Sequence, residues 1–128
     1  MCSSDLDVPV YLMASREDHI VPWKTAWQNT RLLPGPKTFV LAASGHIAGV
    51  VNPASKNKRH FWTADVAAVT PDVWLDGAAR HAGSWWTHWI EWLDTHADVR
   101  VAAPPAAGSA AYPAIEPAPG RYVRQRCD

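Results

Sequence analysis

The chain has 128 residues, enough for one domain, and its twelve basic and twelve acidic side chains balance to a formal net charge of zero. That balance supplies no basic field for nucleic acid or an anionic membrane surface. No apolar run is long enough to span a bilayer, and no basic segment followed by an apolar one marks a secretory leader. Cys2 and Cys127 stand at opposite ends, so a disulfide framework is not expected and a reducing cytoplasm fits. Eight tryptophans in so short a chain call for a large core or an interface.

In chain order, residues 1–6 read as a non-native leader, a peptide of the kind a sequencing adaptor encodes, joined to a truncated gene. Residues 7–97 read as the folded part. Within it, residues 8–13 are continuously apolar, as a strand covered on both faces should be, with Pro9 tolerable at the strand start. Pro22 suits the first turn of a helix over residues 23–33, with Trp23, Ala26, Trp27 and Thr30 on one face. Pro34-Gly35-Pro36 stops that helix, and residues 37–42 form a second buried strand. Residues 56–60 are a short basic run, and residues 61–69 show no clear period. Residues 71–80 suit a short helix with Val73, Trp74 and Leu75 turned inward. Ser84 is an N-cap for the clearest helix, whose Trp85, Trp89, Trp92 and Leu93 form an apolar stripe expected to pack on a sheet. From residue 98 to 111 the chain is an Ala/Pro-rich linker, too poor in large apolar groups to offset its ordering entropy. Residues 112–128 form an extended tail.

Two loops carry the candidate chemistry. Strand, helix, strand in a parallel unit sends both loops that follow the strands to the same edge of the sheet. The first loop holds Asp18 and the second His46, so an acid and a histidine 28 positions apart in sequence are placed side by side. Nucleophile, acid, histidine is the chain order of an α/β-hydrolase triad, and these two would be its last members. An Asp before a proline-started helix also serves as a turn or capping residue. His19, next to Asp18, is a candidate supporting partner. Neither cysteine sits in a strand-to-helix nucleophile turn, no Cys/His spacing suits a metal, and no glycine-rich phosphate loop occurs. The basic run at 56–60 reads as a solvated loop, with attraction of an anionic substrate as the alternative.

Five ordered blocks then resemble one family: Ser15-Arg16-Glu17-Asp18-His19-Ile20-Val21-Pro22-Trp23; Ala43-Ser44-Gly45-His46-Ile47-Ala48-Gly49-Val50-Val51-Asn52-Pro53; Lys56-Asn57-Lys58-Arg59; Gly83-Ser84-Trp85-Trp86; and Ala114-Ile115-Glu116-Pro117-Ala118-Pro119-Gly120-Arg121-Tyr122-Val123. They look like the carboxyl end of class I polyhydroxyalkanoate synthases. The resemblance implies an α/β fold, specifically the last strands and helices of the parallel sheet of an α/β-hydrolase. It implies (R)-3-hydroxyacyl-CoA as substrate, a growing polyester as product, and no cofactor beyond the acyl-CoA itself. It further implies a cytoplasmic, granule-associated homodimer without nucleic acid or a transmembrane segment. By match to the motifs, Asp18 is the catalytic acid and His46 the catalytic histidine, acting with a cysteine that this sequence does not place near them. The chain alone is therefore expected to be inactive. Asp18 is left two roles, orienting His46 or serving the substrate hydroxyl. The alternatives are part of another α/β-hydrolase, such as an esterase or polyester depolymerase, or a non-catalytic module that binds a granule or partner.

Overall fold

The computed structural model describes residues 7–67, 70–97 and 99–126. The leader expected at 1–6, both cysteines and the end of the tail at 127–128 lie outside them. The chain divides into two units between His96 and Ala97.

The first unit is mixed α/β. Its strands are β1 (Val10–Ser15), β2 (Lys37–Ala42), β3 (His60–Thr63) and β4 (Ala79–Ala82), and its helices are α1 (Trp23–Trp27), α2 (Asn29–Leu32), α3 (Pro71–Asp76) and α4 (Trp85–Asp94). The strands form one sheet in the order β1-β2-β3-β4. β1 and β2 pair in parallel, from Val10 opposite Lys37 to Ser15 opposite Ala42. The ladder continues into the loops: Arg16 N–H donates to Ala42 O at 2.8 Å and Glu17 N–H to Ser44 O at 3.1 Å. Both loops thus leave the carboxyl edge together.

The sheet is mixed rather than the parallel one expected. β3 runs antiparallel to β2, and β4 antiparallel to β3. Residues 61–69, which show no period, contribute most of β3. Residues 79 and 80, placed in a helix by the sequence, belong to β4. The single continuous helix over residues 23–33 is two short ones interrupted at Gln28, whose backbone stays helical.

The main core lies on one face of the sheet, where alternate residues Ala14, Phe39, Leu41, Ala43 and Trp62 meet Trp23, Trp27 and Trp74 from α1 and α3. Trp23, Trp27 and Thr30 share a buried helical face as their spacing requires. In α3 only Trp74 is fully inside. Leu75 packs partly against the core, and Val73 points outward at 54% exposure. Three consecutive residues on a helix step round by about 100° each, so they cannot all face inward.

α4 covers the opposite face. Tyr11 of β1 packs against Trp85 and Trp92, with ring centroids 6.3 and 5.4 Å apart, and its hydroxyl is 2.9 Å from His88 Nδ1. Burial raises the Tyr11 pKa and lowers that of His88. The expectation that the α4 stripe is core is only half met: none of its residues is fully buried, and Trp89, Ile90 and Leu93 are exposed. The N-cap is as expected, Ser84 Oγ accepting from Trp86 N–H.

The second unit holds a bridge between Gly108 and Pro113 and a short 3-10 turn at Tyr122–Arg124. Tyr112, Ile115 and Tyr122 are exposed.

Candidate active site

Asp18 sits three residues past the end of β1. Its N–H donates to Ser15 O at 3.2 Å, turning the chain back over the strand end. Oδ1 accepts from the backbone N–H groups of Ile20 and Val21, both at 2.9 Å. Oδ2 is 2.8 Å from His46 Nδ1. The side chain of Asp18 is only 8% exposed, against 44% for His46. With its carboxylate so engaged, Asp18 has its pKa lowered from 3.8 to about 2, foremost by the Val21 N–H, then by the His46 side chain and the Ile20 N–H, against an opposing contribution from burial. A carboxylate has no proton to give, so His46 Nδ1 is the donor. In the neutral ring Nε2 then carries the lone pair, on a half-exposed imidazole.

The turn that presents His46 is tightly built. Ser44 adopts φ +83°, a left-handed conformation costing a non-glycine residue about 1–2 kcal/mol. That twist lets its carbonyl accept from Glu17 and sends the chain across to the Asp18 loop. Gly49 N–H donates to Gly45 O at 2.8 Å, closing one helical turn around His46. Gly49 is buried against Ser15, where an added Cβ would fall 2.2 Å from Ser15 Oγ, so only glycine fits.

The two residues singled out from sequence as an acid–histidine pair are therefore brought together. His19 is not: it is exposed and, among the described residues, makes no side-chain hydrogen bond. No hydrogen bond or ion pair among the described residues ties Lys56, Lys58 or Arg59 to the pair. In that run the Asn57 side chain accepts from Ser84 N–H at 2.8 Å, and the His60 ring meets Trp62 edge-on at 4.6 Å. Among the described residues no group of His, Cys, Asp and Glu is placed to hold a metal, and no helix is long and apolar enough to cross a membrane. Sequence reasoning missed the residues that hold the pair in place: the N–H groups of Ile20 and Val21, Ser15 beneath Gly49, and the strained Ser44. The available signal for the first was Asp18 placed just before Pro22, the very feature that suggested a turn residue. Asp18 is both turn residue and histidine partner, one oxygen for each task.

No family model matches the chain. Known proteins do. It is 54% identical over 123 residues to the poly(3-hydroxyalkanoate) polymerase subunit PhaC of Cupriavidus necator, covering 96% of this chain and 21% of that protein. The chain belongs to the poly(3-hydroxyalkanoate) polymerase family. The polymerase subunit PhaC of Rhizobium etli is 48% identical over 122 residues, which make up 95% of this chain and 19% of the relative. Poly(3-hydroxyalkanoate) polymerase 1 of Ectopseudomonas oleovorans is 37% identical over 131 aligned positions, 98% of this chain and 23% of the relative. The chain thus spans about one fifth of the length of the polymerases it matches, and the Asp18 and His46 loops lie within that fifth.

Proposed function

We propose that this chain supplies the acid–histidine half of a poly(3-hydroxyalkanoate) polymerase active site, which joins (R)-3-hydroxyacyl units from CoA thioesters into polyester. The observation that carries the proposal is the 2.8 Å contact between Asp18 Oδ2 and His46 Nδ1 at the carboxyl ends of two adjacent parallel strands. This is the geometry that the last two members of a triad require. The wider fold is then that of an α/β-hydrolase, and the polymerase's cysteine nucleophile lies in the part of the protein this chain does not span.

The chemistry follows from the free Nε2. His46 takes the proton from the cysteine thiol, and the thiolate attacks the thioester carbonyl of the acyl-CoA. The carbon–sulfur bond to CoA breaks, the imidazolium returns the proton to the departing CoA thiolate, and the acyl group rests on the cysteine. A 3-hydroxyl of another unit then gives its proton to His46 and attacks that acyl thioester. An ester bond forms and the cysteine thiolate leaves, taking back the proton. No cofactor enters, because the acyl-CoA is itself the substrate. Of the two roles left to Asp18, orienting His46 is favoured. Oδ1 already accepts two backbone N–H groups, Oδ2 faces the imidazole, and little of the side chain reaches solvent. Ile20, Val21, Ile47, Val50 and Val51 flank the pair in sequence and are all exposed, an aliphatic rim suited to an acyl chain. A homodimeric, cytoplasmic enzyme at the granule surface belongs to the same proposal.

The test is CoA release from (R)-3-hydroxybutyryl-CoA by a full-length polymerase carrying this sequence. His46→Gln and Asp18→Asn should each lower turnover by about 10³–10⁴-fold, with the fold intact. Normal turnover by either variant would refute its assigned role.

A further inference from the structure

The block Gly83-Ser84-Trp85-Trp86 takes no part in the proton transfers above, yet its three consecutive side chains all reach into the loop that follows His46. Trp85 Nε1–H donates to Gly49 O at 3.0 Å, and Trp86 Nε1–H donates to Val50 O at 2.9 Å. Ser84 Oγ–H donates to Asn52 O. The loop region answers through Asn57, whose Oδ1 accepts from Ser84 N–H. Gly83 makes room for this, since at φ +98° an added Cβ would fall within 2.3 Å of Asn57 Oδ1.

The carbonyl held by Trp85 belongs to Gly49, the residue whose N–H closes the turn around His46. An indole N–H is a donor only, and a carbonyl oxygen has two lone pairs, so Val50 O takes the Trp86 N–H beside the loop's own Asn52 N–H at 3.1 Å. Both rings are held in turn by packing. Trp85 stacks on Tyr11 and lies 6.0 Å from Trp89, and Trp86 meets Trp85 edge-on at 6.1 Å.

We propose that Trp85 and Trp86 are positioning residues for His46, clamping the Gly49–Val50 carbonyls so that the imidazole stays on Asp18. The proposal rests on the reading of His46 as the general base. Without the clamp, the turn samples arrangements in which Nδ1 leaves the carboxylate. Turnover then falls with the fraction of molecules still paired, while substrate affinity does not change.

The experiment uses the full-length polymerase carrying this sequence, with Trp85→Phe, Trp86→Phe and the double variant. Phenylalanine keeps an aromatic ring and loses the N–H. Ile90→Ala is the control, an exposed residue of the same helix whose side chain has no donor. Two readouts are taken: kcat and KM for CoA release from (R)-3-hydroxybutyryl-CoA, and the low-field proton on His46 Nδ1 in ¹⁵N-histidine-labelled protein, assigned by its disappearance in Asp18→Asn. The double variant should lose roughly tenfold or more in kcat with KM within about twofold. Its Nδ1 proton should be lost or broadened, whereas Ile90→Ala keeps both the proton and kcat. An undiminished Nδ1 proton, or an unchanged kcat, in the double variant overturns the proposal. If the unsubstituted polymerase releases no CoA, the functional reading fails, and the Nδ1 proton still decides whether the clamp holds the histidine.

Discussion

The two faces of the sheet use tryptophan in opposite ways. On one face, Trp23, Trp27 and Trp74 meet Phe39, Leu41 and Trp62, and Trp27 and Trp74 are almost wholly removed from water. On the other, the α4 tryptophans leave no residue of their helix fully buried, but Trp85 and Trp86 spend their indole N–H groups on backbone carbonyls of the histidine loop. The first set stabilises chiefly by area removed from water, which is non-directional, with one longer bond from Trp74 Nε1–H to Ala64 O at 3.3 Å. The second stabilises by direction, and what it fixes is the place of one turn. Bulk is therefore the property that matters under α1 and α3, and the donor is the property that matters on α4.

That contrast is broken most severely on the closed face. Trp74→Ala should cost about 3–5 kcal/mol, the range for truncating a buried aromatic, whereas Trp89→Ala on the open face should cost about 1 kcal/mol or less. Denaturant unfolding of the two variants checks this, and equal losses would remove the distinction. Ser84→Ala comes next. It deletes an N-cap and the donor to Asn52 O at a site 1% exposed. About 2 kcal/mol is expected from the lost cap and the unpaired carbonyl together, read by the same unfolding measurement.

The smallest effect is a pH dependence. Asp18 has its folded pKa depressed from 3.8 to about 2, first by the Val21 N–H and also by His46. A depressed carboxylate contributes stability that is fully present above its unfolded pKa and lost as pH falls through the folded one. The stability advantage of the native protein over Asp18→Asn should therefore hold above about pH 4 and shrink between about pH 4 and 2. Unfolding measured across that window checks it; an advantage that grows on acidification would have the wrong sign.

Much of the site was legible because it depends on neighbours in sequence. A continuously apolar run marks β1 and β2, a proline-started helix links them, and right-handed parallel crossover then dictates that Asp18 and His46 share an edge. The antiparallel half of the sheet was not legible. β4, at the end of the strand order, is exposed at all four residues, so it carries no apolar alternation to detect. β3 is four residues long and mixes His60 and Thr63 with two aromatics, too short to set a period. The tryptophans of α4 were legible as a stripe because the stripe is written in carbon. Their bonds to Gly49 and Val50, 36 positions away, depend on a contact that no local pattern encodes. Val73 shows the converse: apolar character alone placed it inside, and the geometry of a six-residue helix turned it out.

The central claim is that Asp18 and His46 act as one unit. A double-mutant cycle tests it most directly, with CoA release measured for the full-length polymerase carrying this sequence and for Asp18→Asn, His46→Gln and both together. If Asp18 works through His46, the double variant should be no slower than His46→Gln alone, because the aspartate has nothing left to orient. Losses that multiply, the double variant falling below His46→Gln by the full factor seen for Asp18→Asn, would show that the two residues act separately and would contradict the account.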